Sequence, residues 1–271
     1  MSELIFLGVG SAYQTNDYQT NLLYRRNNKN LLIDAGDDIR WSLKREKMYF
    51  GNIDAVTVTH GHGDHYHGME YLGDCRKFSG MPKPKLFIEG QFADELWHGG
   101  LWESMKGLQG KRWEEDEITL NTYFDVERVK RNGSFVFEGV KFELVQNIHV
   151  VTKYAHCSSF GYIWTDPDIG KRILYTGDTQ FSPESYMTAL YDEVDFVIHD
   201  CETTPDRSGV HSNYLDLRTL KESQRGKMVF VHCQFDPATE WEAWNKKAKD
   251  DGFIGFARPN DRFEEIIKHL L

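Results

Sequence analysis

A chain of 271 residues, 40% of them hydrophobic, is long enough to bury one large core or two small ones. Its longest apolar runs are of strand length, so no helical membrane span is expected. The formal net charge of −10 argues against a protein that grips a long polyanion, which usually needs a basic face, and fits better with a small anionic substrate drawn in by bound cations.

Met1-Ser2-Glu3-Leu4-Ile5-Phe6 has neither the basic region nor the long apolar run of a secretion signal, so a cytoplasmic location is expected. Cys75, Cys157, Cys201 and Cys233 form no C-x-x-C pair and read as reduced thiols. Leu4–Gly8 reads as a first strand running into Gly8-Val9-Gly10-Ser11-Ala12, where neither dinucleotide nor P-loop spacing is met. Thr20–Tyr24 and Leu31–Gly36 read as two further strands, with Asn27-Asn28-Lys29-Asn30 as turn chemistry between them. Asp37–Lys47 follows as a helix. Ile53–Thr59 is apolar and β-branched, a buried strand.

At the end of that strand stands Thr59-His60-Gly61-His62-Gly63-Asp64-His65-Tyr66-His67-Gly68. Imidazole and carboxylate together suit zinc and its first-row neighbours. The glycines let the backbone turn tightly around whatever those side chains hold. The bland alternative is a solvated histidine-rich loop, which would not need two glycine spacers after a buried strand. His67 is left as a flanking residue.

Gly68–Ser79 reads as a helix, broken at Pro82-Lys83-Pro84, and Lys85–Gly90 as a short strand. Phe92–Met105 has a helical pattern with Trp97, Leu101, Trp102 and Met105 on one face. Core packing is the first reading of that face, and a lid or a homodimer surface the second. Residues 107–117 read as a polar loop, and Lys106, Lys111 and Arg112 are too few for a nucleic-acid arm. Residues 90–131 are expected to form a helical and loop insertion within a single domain spanning 1–271. Phe135–Val145 reads as a hairpin turning at Glu138-Gly139, its second strand continuing to His149. His149 therefore ends a strand, with His156 as its rival. Lys171–Thr179 is a strand ending in T-G-D-T, where Asp178 could simply cap a helix. Val194–Thr204 is a strand entering an acidic turn with Asp200 and Glu202, and His211 follows soon after. Met228–Cys233 is one more strand, ending at His232. Thr239–Asp251 and Asp261–Leu271 read as two helices covering the outside of a sheet.

The pattern H-x-H-x-D-H after D-A-V-T-V-T resembles the metallo-β-lactamase superfamily. L-G-x-G-S-A followed by L-L-I-D-A-G resembles the opening of its ribonuclease Z-like branch. The resemblance implies an α+β fold, an αββα sandwich of two mixed β-sheets with helices on the outer faces. It implies two divalent metal ions, zinc by default with manganese, iron or nickel as alternatives. His60 and His62 would serve the first ion together with His149. Asp64, His65 and His232 would serve the second, with Asp178 between the two.

H-D-C-E and V-H-S-N resemble, in part, a segment pair of the same branch in which a histidine that is not a ligand acts near the leaving group. This implies His211 as general acid, oriented by Asp200 or, as the rival, Glu202. Asp64 would also accept a proton from the attacking water. The expected activity is that of a phosphodiesterase cleaving a small phosphodiester such as a cyclic nucleotide by metal-bound hydroxide attack. The phosphodiesterase branch that includes the phage anti-Pycsar enzymes has similar motifs. The alternatives are a ribonuclease Z-type RNA 3′-processing endonuclease, against which the missing basic arm counts, and a lactone or thioester hydrolase. A non-enzymatic metal or redox module is the outside reading.

Overall fold

The computed structural model describes residues 1–107, 117–154 and 156–270. Two mixed β-sheets form its centre. The first contains β1 (Glu3–Gly8), β2 (Asn21–Arg26), β3 (Lys29–Ile33), β4 (Ala55–Thr57), β5 (Lys85–Glu89) and β6 (Asp125–Val129), in that spatial order. The second runs β13-β12-β11-β10-β9-β8-β7. Its strands are β7 (Ser134–Phe137), β8 (Val140–Val151), β9 (His156–Asp166), β10 (Lys171–Tyr175), β11 (Phe196–Asp200), β12 (Met228–Val231) and β13 (Gly255–Phe256).

Each sheet starts as an antiparallel meander and continues as parallel strands. β1, β2 and β3 pair antiparallel and β3 to β6 parallel. β7 to β10 pair antiparallel and β10 to β13 parallel. Parallel strands flanked on both faces need continuous apolar sequence. Ala55-Val56-Thr57, Phe196–Asp200 and Met228–Val231 are accordingly buried at every position.

The two sheets meet through aromatic side chains. Phe87 of β5 stacks on Phe135 of β7 at 4.3 Å between ring centres, and Tyr24 of β2 meets Phe142 of β8 edge-on at 5.3 Å. A 2.7 Å hydrogen bond joins the hydroxyls of Thr57 and Tyr162 across the interface. The helix Trp241–Asp250 packs on β13 and Phe263–Ile267 on β1. This is the two-sheet, helix-flanked α+β architecture expected from the sequence.

Two elements differ in detail from the sequence reading. The helical stretch starts at Gly90, where the Glu89 carboxylate accepts from the Phe92 N–H at 2.8 Å. It passes through a π-helical turn at Trp97–Leu101 and ends at Met105. Trp97, Leu101 and Met105 are buried in the core and Trp102 is half-buried, so core packing explains most of that face. β6 lies inside the stretch read as an insertion. Its sequence, Asp-Val-Glu-Arg-Val, is mostly charged because it forms the edge of the first sheet. Of the polar loop at 107–117, Lys111 and Arg112 lie outside the described residues.

Candidate metal centre and active site

The first sheet delivers the histidine-rich loop and the second sheet holds it. Two residues beyond β4, the Thr59 carbonyl accepts from the Phe160 N–H at 2.9 Å, and His60 pairs with Ser159 of β9. The short helix Gly63–Tyr66 then carries Asp64 and His65 inward. His149 sits on β8 at an irregularity in the β8–β9 register between Ile148 and Val151. Asp178 follows β10 after Gly177, which has φ +59°, and His232 follows β12 with φ +62°. Parallel strands end at the same edge of a sheet, so these strand-end residues converge.

Two groups of donor atoms result, each within 4.8 Å of one another, His60, His62, His149 and Asp178, and Asp64, His65, Asp178 and His232; a third set, Asp178, Asp200, His211 and His232, overlaps the second. Oδ2 of Asp178 is common to the first two. It lies 3.8 Å from Nε2 of His60 and 3.9 Å from Nε2 of His149 on one side. On the other it lies 3.4 Å from Nε2 of His65 and 3.3 Å from Nε2 of His232.

The donor set fits a cation better than it fits itself. Nε2 of His60 and Nε2 of His149 both face Nδ1 of His62, at 2.9 and 3.1 Å. The far nitrogen of His149 is occupied by donating to the Val210 carbonyl at 2.7 Å. Three ring nitrogens thus crowd together with too few protons to bond them all. His65 Nε2 is buried between two carboxylate oxygens, Asp64 Oδ2 at 3.1 Å and Asp178 Oδ2 at 3.4 Å, with a well-aligned hydrogen bond to neither. Buried polar atoms left unpaired are costly, and a bound cation removes that cost.

Protonation divides the two groups. Burial, then the charge of His65, pushes His60 well below the ordinary histidine range, and burial likewise lowers His62 and His149. Neutral imidazole is the form that ligates metal. Burial opposes charge on His65 too, but Asp64, Asp178 and Asp34 outweigh it and raise the group well above its usual range. His232 is raised in the same way, against burial, by Asp178 and Asp64. Without a cation, the second group therefore balances its carboxylates with imidazolium.

Sequence reasoning assigned no role to Asp34, at the end of β3. Its Oδ2 receives His65 Nδ1 at 2.9 Å and the Thr59 hydroxyl at 2.9 Å, and its Oδ1 receives the Thr59 N–H at 2.7 Å. The same hydroxyl lies 3.1 Å from His60 Nδ1. One buried carboxylate thus orients one histidine of each group. Its available signal was the L-L-I-D-A-G run, in which a charged residue closes the apolar end of a strand.

The residues beside the donor groups sort clearly. His211 Nδ1 lies 2.9 Å from Oδ2 of Asp200, which also receives the Thr179 N–H at 3.1 Å. Glu202, the alternative partner of His211, instead accepts from the Ser208 N–H at 3.0 and 3.1 Å and from the Asn213 amide at 3.2 Å. It closes the loop that presents His211. His156 is exposed at the start of β9 and belongs to neither group. His67 is exposed and pairs with Asp37 at 2.8 Å. Cys201 and Cys233 are buried free thiols outside both groups, consistent with small apolar filler.

The family model for "Anti-Pycsar protein Apyc1" matches residues 2–263. A protein of that name from Paenibacillus harenae is 28% identical over 227 residues, 83% of this chain and 87% of the relative. Among solved structures, the metallo-β-lactamase fold protein YhfI from Bacillus subtilis superposes with a TM-score of 0.72 at 17% identity, covering 97% of this chain and 98% of that one. A diphosphatase from the PhnP family superposes with a TM-score of 0.71 at 19% identity, with the same coverage of both chains. The protein has the metallo-β-lactamase fold, with grouped histidines and aspartates that could hold metal ions. With nearly its whole length matched, the chain belongs to the Anti-Pycsar protein Apyc1 family.

Proposed function

We propose that the protein is a phosphodiesterase that acts on small phosphodiesters, cyclic nucleotides foremost, with two divalent cations. His60, His62 and His149 would hold one and Asp64, His65 and His232 the other, with Asp178 shared. Zinc is the expected occupant of a site so rich in imidazole. Such a pair, when bound, polarises a phosphate and lowers the pKa of water to about 7.

The observation that carries the reading is the His211–Asp200 pair, 2.9 Å apart at the margin of both donor groups. A histidine so placed suits protonation of a departing alkoxide oxygen, which breaking a phosphodiester requires. Asp200 holds Nδ1, so Nε2 is the nitrogen left to donate. His211 keeps partial access to solvent, with 17% of its side chain exposed, whereas Asp200 behind it is buried. In this reading Asp64, buried beside His65 and His232, would accept a proton from an attacking water. The acidic net charge favours a small substrate over a long polyanion.

The test is hydrolysis of bis(p-nitrophenyl) phosphate by wild type, Asp178→Ala and His211→Ala, with metal content determined for each. Wild type should be active, Asp178→Ala should lose metal, and His211→Ala should keep metal and lose rate on a cyclic nucleotide, whose alkoxide leaving group needs the proton, far more than on the p-nitrophenyl ester. A metal-loaded wild type inert towards the diester would refute the proposal. Cyclic nucleotides and precursor tRNA, compared next, separate a small-substrate enzyme from an RNA-processing one.

A further inference from the structure

A cavity of about 200 Å³ opens beside the metal loop, between the helical segment 90–105 and the start of β9. Its wall includes the backbone of Gly61, the residue between His60 and His62. A Cβ placed on Gly61 would lie 3.5 Å from the Phe92 ring, so that ring reaches the loop itself. Tyr66, directly after His65, forms a second aromatic wall and packs so closely on Gly100 that a Cβ there would fall 2.8 Å from its ring. Leu96 adds apolar surface, and Cys157 meets the Gly61 backbone from the opposite side.

The charge of this cavity says what it does not take. Glu95 lines it, and among the described residues no lysine or arginine does. A second phosphate would meet a carboxylate and no counter-charge. A neutral flat ring would meet two aromatic side chains and a leucine, with the Glu95 carboxylate and the Ser158 hydroxyl available to its polar edge.

We propose that this cavity receives the nucleobase of the substrate, with Phe92 and Tyr66 as its aromatic walls and Glu95 as an acceptor for a ring N–H or an exocyclic amino group. The inference rests on the phosphodiesterase reading, since it places the base while the phosphate lies at the donor groups. The cavity touches the metal loop at Gly61, so the base would sit to the side of the phosphate, against segment 90–105. That gives Phe92 of this segment a role beyond packing.

The experiment compares two esters with the same leaving group, methyl p-nitrophenyl phosphate and thymidine 5′-(p-nitrophenyl phosphate). Only the second carries a base. Wild type should favour it by at least tenfold in kcat/KM, since stacking of a base on aromatic side chains commonly contributes that much. Two variants fill the cavity from opposite walls. In Gly99→Phe the new side chain starts from a Cβ position with nothing within 4 Å, and Cys157→Phe enters from β9. Each should reduce the preference at least tenfold while the protein stays folded by circular dichroism. Binding of thymidine 5′-monophosphate, read by calorimetry, should weaken by a similar factor. An unchanged preference and unchanged binding in both folded variants would overturn the subsite. Hydrolysis of both esters by wild type without preference would overturn it too, while leaving the phosphodiesterase reading intact. Conversely, a wild type that binds the monophosphate, loses it on filling the cavity and hydrolyses neither ester would sustain the subsite and reject the phosphodiesterase.

Discussion

His211 is tied to Asp200 by a 2.9 Å contact between Nδ1 and Oδ2, and the other oxygen of Asp200 lies 3.5 Å from Nδ1 of His232. One buried carboxylate therefore touches both the proposed acid and a proposed metal ligand. Its loss should disturb proton transfer and metal affinity together, whereas loss of His211 should disturb proton transfer alone.

His211→Ala should lower kcat on a cyclic nucleotide by about 10²–10⁴-fold with metal content unchanged. Steady-state kinetics with parallel metal analysis checks this. A variant with wild-type turnover would remove His211 from the mechanism.

The alkaline side of the rate profile should report the same pair. Burial opposes the charge on His211, but Asp200, then Asp178 and Glu202, outweigh it and push the group up to about 10. That value belongs to the metal-free protein; bound cations beside Asp178 oppose the imidazolium, so in the loaded enzyme kcat should fall along an alkaline limb that lies below about 10. Asp200→Asn removes the largest raising influence and should move this limb to lower pH. An alkaline limb at the same pH in wild type and Asp200→Asn would contradict the assignment.

Metal binding and pH should be linked with a definite sign. His65 and His232 have raised folded-state values in the metal-free protein. Their contribution to stability is fully present below the ordinary histidine value of about 6.5 and is lost as pH rises through the raised values. A cation displaces those protons, so its affinity should increase with pH and binding should release protons. The Tm gap between metal-loaded and chelator-stripped protein should therefore widen from pH 6 to pH 8. A gap that narrows over this range would reverse the assigned protonation.

Asp34→Asn tests the carboxylate behind the histidines. Asp34 has φ +65°, a conformation that asparagine also tolerates, so the backbone should survive the change. Loss of such an outer carboxylate usually costs about 10–100-fold in metal affinity. Competition with a chromogenic chelator measures it. Unaltered affinity would mean that Asp34 serves the fold only.

Gly177→Ala should remove metal from both groups at once. Gly177 has φ +59°, and a Cβ there would lie 2.8 Å from the Phe160 carbonyl oxygen. The strain, about 1–3 kcal/mol, would displace the adjacent Asp178, whose Oδ2 faces both groups. Metal content near zero with a lowered Tm is the expected result. Full loading would show that Asp178 is less confined than its burial implies.

What the sequence by itself determined is local. Apolar β-branched runs ending in His60, Asp178 and His232 mark both the strands and their chemistry, because burial and ligand type are properties of residues read a few positions at a time. The turn at Glu138-Gly139 is legible for the same reason, both residues having positive φ in a tight hairpin. Tertiary structure alone decided between candidates of equal chemistry. His149 enters the donor group and His156 stays outside because of how β8 and β9 pair, a matter of register over eleven and twelve residues. Asp200 rather than Glu202 meets His211 because the 202–213 loop closes on itself through Glu202. Asp34 reaches His65 across 31 positions of sequence. β6 escaped notice because an edge strand is half solvated and its charges hide the alternation. These contacts depend on where distant segments pack, and side-chain type carries no record of that distance.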